Sequence, residues 1–125
     1  MSREKSLRIR LQGEGRSCTT QLLDSASAKD FLALLPLYVT LTDYAANEKI
    51  ANLPRKLATI GAPPSHRAAA GDLCYYAPWG NLALFHKDFG HAQGLVLLGR
   101  LDGPVDVLCQ PGPWQVTIEP ATDGD

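Results

Sequence analysis

What most limits the fold of this chain is its shortage of helix. Glycine (11 residues) and proline (9 residues) cut it into short pieces. Only one piece carries clear helical spacing. Phe31, Leu32, Leu34 and Leu35 repeat as a helix face does, behind Ser27-Ala28-Lys29-Asp30. Those four residues resemble a capping box with Asp in the place of Glu or Gln. Pro36 cannot continue a helix and disfavours helical geometry at Leu35. The prediction is a two-turn helix over Ser27–Leu35, lying across the open end of a barrel or sheet. Parallel strands need crossover connections, usually helical, and this chain has too few helices to supply them. An antiparallel barrel or sandwich remains, and a barrel leaves no exposed edges.

The rest of the chain supplies the strands. Leu7 to Leu11 alternates apolar and charged residues, as a half-buried strand does. Gln12–Arg16 is a turn, and Ser17–Leu23 completes a hairpin. Leu37, Val39, Leu41 and Asp43 share one face of a third strand, and Tyr38, Thr40 and Thr42 share the other. Glu48–Leu53, stopped by Pro54, is a fourth. Ala58–Ala70, with Gly61-Ala62-Pro63-Pro64 inside it, reads as a surface loop. Leu73–Ala77 and Asn81–His86 are strands on either side of the turn Pro78-Trp79-Gly80. Gly90–Gly94 reads as a loop, Leu95–Leu101 as a strand, Val105–Cys109 as a short helix or turn, and Trp114–Glu119 as the last strand. Pro120–Asp125 reads as a frayed tail. The expectation is mainly β: about eight short strands and one or two short helices.

At 125 residues the chain is one domain, 1–125. Twelve Lys and Arg against 13 Asp and Glu leave a net charge of −1. That balance gives no footprint for nucleic acid or an anionic membrane. The longest apolar runs are far shorter than a membrane span. The charged start Met1-Ser2-Arg3-Glu4-Lys5 lacks the apolar core of a signal peptide, so the expected location is cytoplasmic. Cys18, Cys74 and Cys109 are well separated and flanked by apolar residues. They are expected to be reduced and mostly buried.

A family resemblance is carried by Gly71-Asp72-Leu73-Cys74-Tyr75-Tyr76-Ala77-Pro78-Trp79-Gly80-Asn81-Leu82-Ala83-Leu84-Phe85. It extends through Leu95-Val96-Leu97-Leu98-Gly99-Arg100-Leu101, and upstream through Ala28–Leu37, Asp43-Tyr44 and Glu48–Leu57. Over roughly residues 6–119 the chain resembles the small bacterial cyclophilin-like family, whose members are mostly uncharacterised. The resemblance implies an eight-stranded antiparallel cyclophilin-like barrel capped by one or two short helices. It also implies, as an alternative role, an accessory domain for a flavodoxin-like redox partner.

True cyclophilins isomerise X-Pro bonds. Resonance sets the barrier at about 18–20 kcal/mol. A guanidinium donating to the prolyl nitrogen weakens that resonance while an apolar pocket holds the ring. The resemblance makes Arg55 the candidate catalytic residue. The chain departs from cyclophilins after it, because it lacks the Phe-x-Met-x-Gln stretch before Gly71-Asp72. Fold analogy does not carry function without the site. The leading reading is therefore a module that binds a small molecule or peptide in a cleft lined by Arg55, Tyr76, Trp79, Asn81 and Phe85. A prolyl isomerase using Arg55 is the alternative.

Alternation puts Tyr75 and Tyr76 on opposite faces, so one is core and the other is free to line a cleft. Aromatics with a polar end suit such a cleft. His86, Asp88 and His91 form H-x-D-x-x-H, but a strand end and loop do not fix three ligands on one ion. No metal and no cofactor are expected. His66 reads as a solvated loop residue. No phosphate-binding glycine loop or strained G-x-S-x-G turn occurs.

Overall fold

The computed structural model describes residues 7–121. Ten strands and two short helices follow in order: β1 (Arg8–Gly13), β2 (Arg16–Leu22), α1 (Ala26–Leu32), β3 (Leu37–Tyr44), β4 (Glu48–Asn52), β5 (Ser65–Ala68), β6 (Asp72–Tyr76), β7 (Asn81–Phe85), β8 (Gly90–Gln93), β9 (Leu95–Leu101), α2 (Asp106–Cys109) and β10 (Trp114–Ala121). Eight of the strands close into an antiparallel barrel in the order β1-β10-β3-β4-β7-β6-β9-β2, and β5 and β8 pair separately. The eight barrel strands correspond to the eight expected from the sequence.

Strand alternation creates two apolar layers. Leu73 and Tyr75 of β6, Leu82 and Leu84 of β7, and Val96 and Leu98 of β9 point into the barrel. Cys74, Ala83, Phe85 and Leu95, from the opposite faces of these strands, join Ala68 of β5 in a second cluster. The β5–β8 ribbon thus covers the outer wall of the barrel. This explains why the loops expected over Ala58–Ala70 and Gly90–Gly94 contain strands. They are four-residue strands, with too little alternation to stand out from their flanking Gly and Pro.

The helix over Ser27–Leu35 is corrected to Ala26–Leu32. Its N-cap is Ser25, whose hydroxyl accepts from the Ala28 amide. Ser27 instead donates to the Ala58 carbonyl at 2.6 Å. Ala28 and Phe31 are fully buried in the barrel core, so the helix does close one end. Trp114 lies toward the other end. Its indole donates to the Gly13 carbonyl at 2.8 Å, and the Arg16 guanidinium covers its ring at 4.6 Å. Pro120 and Ala121, expected in a frayed tail, belong to β10 and pair with Ile9 and Arg8. The remainder of that expected tail lies outside the described residues. No helix among the described residues is long and apolar enough to cross a membrane.

The cysteines divide three ways: Cys74 is buried, Cys18 half-buried and Cys109 exposed. The expectation of general burial is thus corrected at Cys109, at the end of the short α2, where its Sγ meets only the Val105 carbonyl at 3.5 Å. Burial pushes the Cys74 thiol well above its ordinary value and the Cys18 thiol to about 11, the latter with help from the Asp102 charge. Thiolate is the reactive form. A disulfide-exchange reagent should therefore label one thiol rapidly in the native protein. Cys109→Ser should remove that fast phase. Rapid labelling that survives the substitution would contradict this placement.

Candidate functional site

The cavity on the outer wall of the barrel is built from β3, β4, β6, β7, β8, β9 and the turns beside them. Glu48 and Ile50 come from the outward face of β4, and Asn81 and Phe85 from that of β7. Tyr76 ends β6, and Trp79 sits on the turn between β6 and β7. Tyr44, Phe89, Ala92 and Leu95 complete a space of about 170 Å³. The register sets Glu48 beside Phe85 and Asn52 beside Asn81. Four strand positions, roughly 13 Å of β7, separate Asn81 from Phe85. Glu48 and Asn81 therefore mark opposite ends of the cavity.

Aromatic rings form its rim. Trp79 meets Tyr44 at 5.6 Å and Tyr76 at 5.5 Å between ring centroids, both edge-to-face, and Phe85 meets Phe89 at 5.6 Å. The turn that carries Trp79 is held from below. The Ala77 amide donates to the Gly94 carbonyl at 2.9 Å. A Cβ on Gly94 would approach Pro78 to 2.7 Å, and Gly94 has φ +79, so glycine is required there twice over. Trp79 is 58% exposed. An exposed indole on a fixed turn is available to a ligand.

Two polar groups in this wall have unused bonding capacity. The Asn81 amide nitrogen donates to the Leu82 carbonyl at 3.0 Å, which fixes the orientation of the amide. Its oxygen is buried without a partner. Glu48 is a buried carboxyl, and burial alone pushes it up to about 7. The sign of the pH effect follows. Between the ordinary glutamate value of 4.5 and about 7 the folded protein holds a proton that the unfolded chain has released. Stability falls as pH rises through that window, and the deficit persists above it. Glu48→Gln should raise stability at pH 8 by about 1–2 kcal/mol, a figure discounted for water at the cavity mouth. It should change little at pH 4. Thermal melts at both pH values check this, and an equal effect at both would contradict it.

The structure brings together Tyr76, Trp79, Asn81 and Phe85 of the residues expected from sequence. Arg55 is not with them. Its guanidinium forms a fork on Asp30 of α1, at 3.0 and 2.9 Å, and also donates to the Lys56 carbonyl. Asp30 further accepts from the Ala58 amide at 2.7 Å. The Arg55 hydrogen bond, followed by that amide, holds the Asp30 carboxyl down to about 2. Arg55 fastens the segment after β4 to the capping helix. Tyr75, the inward member of the tyrosine pair, is core, and its hydroxyl accepts from the Leu57 amide.

Sequence reading missed Tyr44, Glu48 and Phe89. One signal was present. Glu48 and Lys49 are adjacent on a strand, so they face opposite ways, and in a covered wall one charge has to be buried on each side. Lys49 points inward, fully buried, and donates to Asp43 and to the Gln110 and Gly112 carbonyls.

Two groups of candidate metal ligands can be placed among the described residues. His86, Asp88 and His91 do not converge. Asp88 accepts from the Ala70 amide, and His86 is depressed by burial and by Lys87 and Lys49. Among the described residues, His66, Asp72 and Cys74 bring ligand atoms within 4.8 Å of one another. Asp72 is already taken by Arg100, His66 and the Ala69 amide, and burial disfavours the Cys74 thiolate. This set reads as a structural network.

Comparison with known proteins agrees with the barrel. No curated protein matches the sequence. A solution structure of a hypothetical protein from Archaeoglobus fulgidus superposes with a TM-score of 0.72 at 18% identity, over 97% of this chain and 100% of that one. At that identity it supports the fold alone, and it comes from an archaeon. The sequence itself matches the cyclophilin-like family over residues 11–119, so the chain belongs to the cyclophilin-like family.

Proposed function

We propose that this protein is a binding module that takes a small molecule into the aromatic cavity on its outer barrel wall, and that it is not an efficient prolyl isomerase. The observation that carries this reading is the cavity itself: about 170 Å³, comparable to an apolar cavity that accepts benzene, with unpartnered polar groups in its wall. An extended peptide needs a groove, and this space accepts one ring or one inserted side chain. The isomerase alternative needs a guanidinium beside an apolar pocket, whereas the Arg55 fork is occupied by Asp30.

The test is a titration with benzyl alcohol followed by indole N–H resonances. Trp79 should shift, and buried Trp114 should not. With eight heavy atoms at about 0.5 kcal/mol each, affinity should be on the order of 1 mM. Arg55→Ala should leave it unchanged within about twofold, since the two places share no partners. An unmoved Trp79 signal, or affinity lost with Arg55→Ala, would overturn the reading.

A further inference from the structure

The lining of the cavity restricts which small molecules suit it. Glu48 carries an acid on an otherwise apolar wall of Ile50, Phe85 and Leu95, with Tyr44 and Trp79 at the rim. No lysine, arginine or histidine lines the space. The carboxyl makes no salt bridge or hydrogen bond among the described residues. Every other buried charge has partners: Lys49 has Asp43 and two carbonyls, and Asp72 has Arg100, His66 and an amide. A buried carboxylate without a partner is costly, and a ligand that supplies the partner recovers that cost. Aromatic rims attract cations through their ring faces. The cavity is thus provided with one acid and several aromatic rings and lacks a cationic group of its own.

Resting on the binding reading above, we infer that the ligand is a small organic cation, a single-ring or alkyl ammonium with at least one N–H. Its nitrogen meets Glu48 and its apolar body lies along Ile50 and Phe85 toward Asn81. An N–H-bearing ammonium can hydrogen-bond the carboxylate, which a fully methylated one cannot.

The groups facing Glu48 bear on its pH response. From β3 it is faced by Tyr44, its partner in the strand register, and from β6 its charge reaches the Cys74 thiol, which burial holds protonated, while Tyr76 stands beside Asn81 at the other end. The ribbon side contributes only Phe89 and Ala92. His86, next to Phe85, interacts instead with Lys87, Lys49 and Asp43. His91 is exposed on β8, opposite Arg67. Glu48 is therefore the group whose ionisation should govern cation binding.

The experiment compares benzylamine with benzyl alcohol, which are nearly equal in size, by the Trp79 indole signal at pH 8 and pH 5.5. At pH 8 benzylamine should bind at least about tenfold more tightly, as expected for a charge-assisted hydrogen bond. At pH 5.5, with Glu48 protonated, the preference should collapse. Glu48→Gln should remove it at pH 8, bringing benzylamine down to the affinity of benzyl alcohol for the same variant. Equal binding of the two probes by the native protein at pH 8, or a preference that survives both Glu48→Gln and pH 5.5, would overturn the cation assignment and leave the binding reading standing. Binding of neither probe would overturn both.

Discussion

Replacing Trp114 with alanine should cost about 3–5 kcal/mol, the range for truncating a fully buried large aromatic. Trp114 is completely buried and begins β10 opposite Leu41 of β3. It fills the barrel end remote from α1. Its indole N–H bonds the Gly13 carbonyl at 2.8 Å, tying β10 to the end of β1. The Arg16 guanidinium above it also reaches the Val107 carbonyl of α2, so the tryptophan organises three pieces of chain. Trp114→Phe keeps most of the ring and loses the hydrogen bond, and should cost only about 1–2 kcal/mol. Urea unfolding of both variants measures the difference. Equal losses would show that the hydrogen bond, and not the filled volume, dominates.

Lys49→Met should be the next largest loss, about 2–3 kcal/mol. Breaking a fully buried pair costs about 3–5 kcal/mol, but here Asp43 is 41% exposed and can regain water. The methionine keeps the buried stem, so the loss reports the ammonium and its three acceptors: Asp43 at 2.7 Å, the Gln110 carbonyl at 2.9 Å and the Gly112 carbonyl at 2.7 Å. These bonds tie β3 and β4 to the segment before β10. A pH signature accompanies them. The Lys49 hydrogen bond, then the Gly112 amide, holds the Asp43 carboxyl below its ordinary value of 3.8. A depressed folded value means stability that is present above the unfolded value and lost as pH falls through the folded one. Lys49→Met should flatten that part of the acid limb in chemical unfolding below about pH 4. An unchanged acid limb would contradict the pairing.

The barrel was legible because its strands alternate. Leu37, Val39 and Leu41, or Ile9 and Leu11, state their inward face by spacing alone. The β5–β8 ribbon was not legible. Ser65–Ala68 and Gly90–Gln93 are four residues each, and they pack on a wall that itself faces apolar groups both ways. Asn81–Phe85 is buried throughout, and such a strand carries no alternation to announce what covers it. Four of the ten residues around the cavity followed from chemistry visible in the chain: Tyr76, Trp79, Asn81 and Phe85 cluster within ten positions. Glu48 did not, because its burial depends on strands distant in sequence. Arg55 was drawn into the expected cleft by resemblance, and its position is decided by Asp30, 25 residues away. Helix capping misled for a similar reason. Ser25 takes the N-cap, while the hydroxyl of Ser27 is donated to the Ala58 carbonyl and Asp30, the acid of the expected box, is engaged by Arg55 and the Ala58 amide.

The most direct test of the central claim, that the outer-wall cavity is the binding site, is a set of intermolecular nuclear Overhauser effects between benzyl alcohol and the native protein. The ring protons should contact Ile50, Phe85 and Ala92, which come from three different strands and line this cavity. Contacts confined to Leu23 and Ile60, which line a larger pocket beside the start of α1 that shares Leu95 with this cavity, would contradict it.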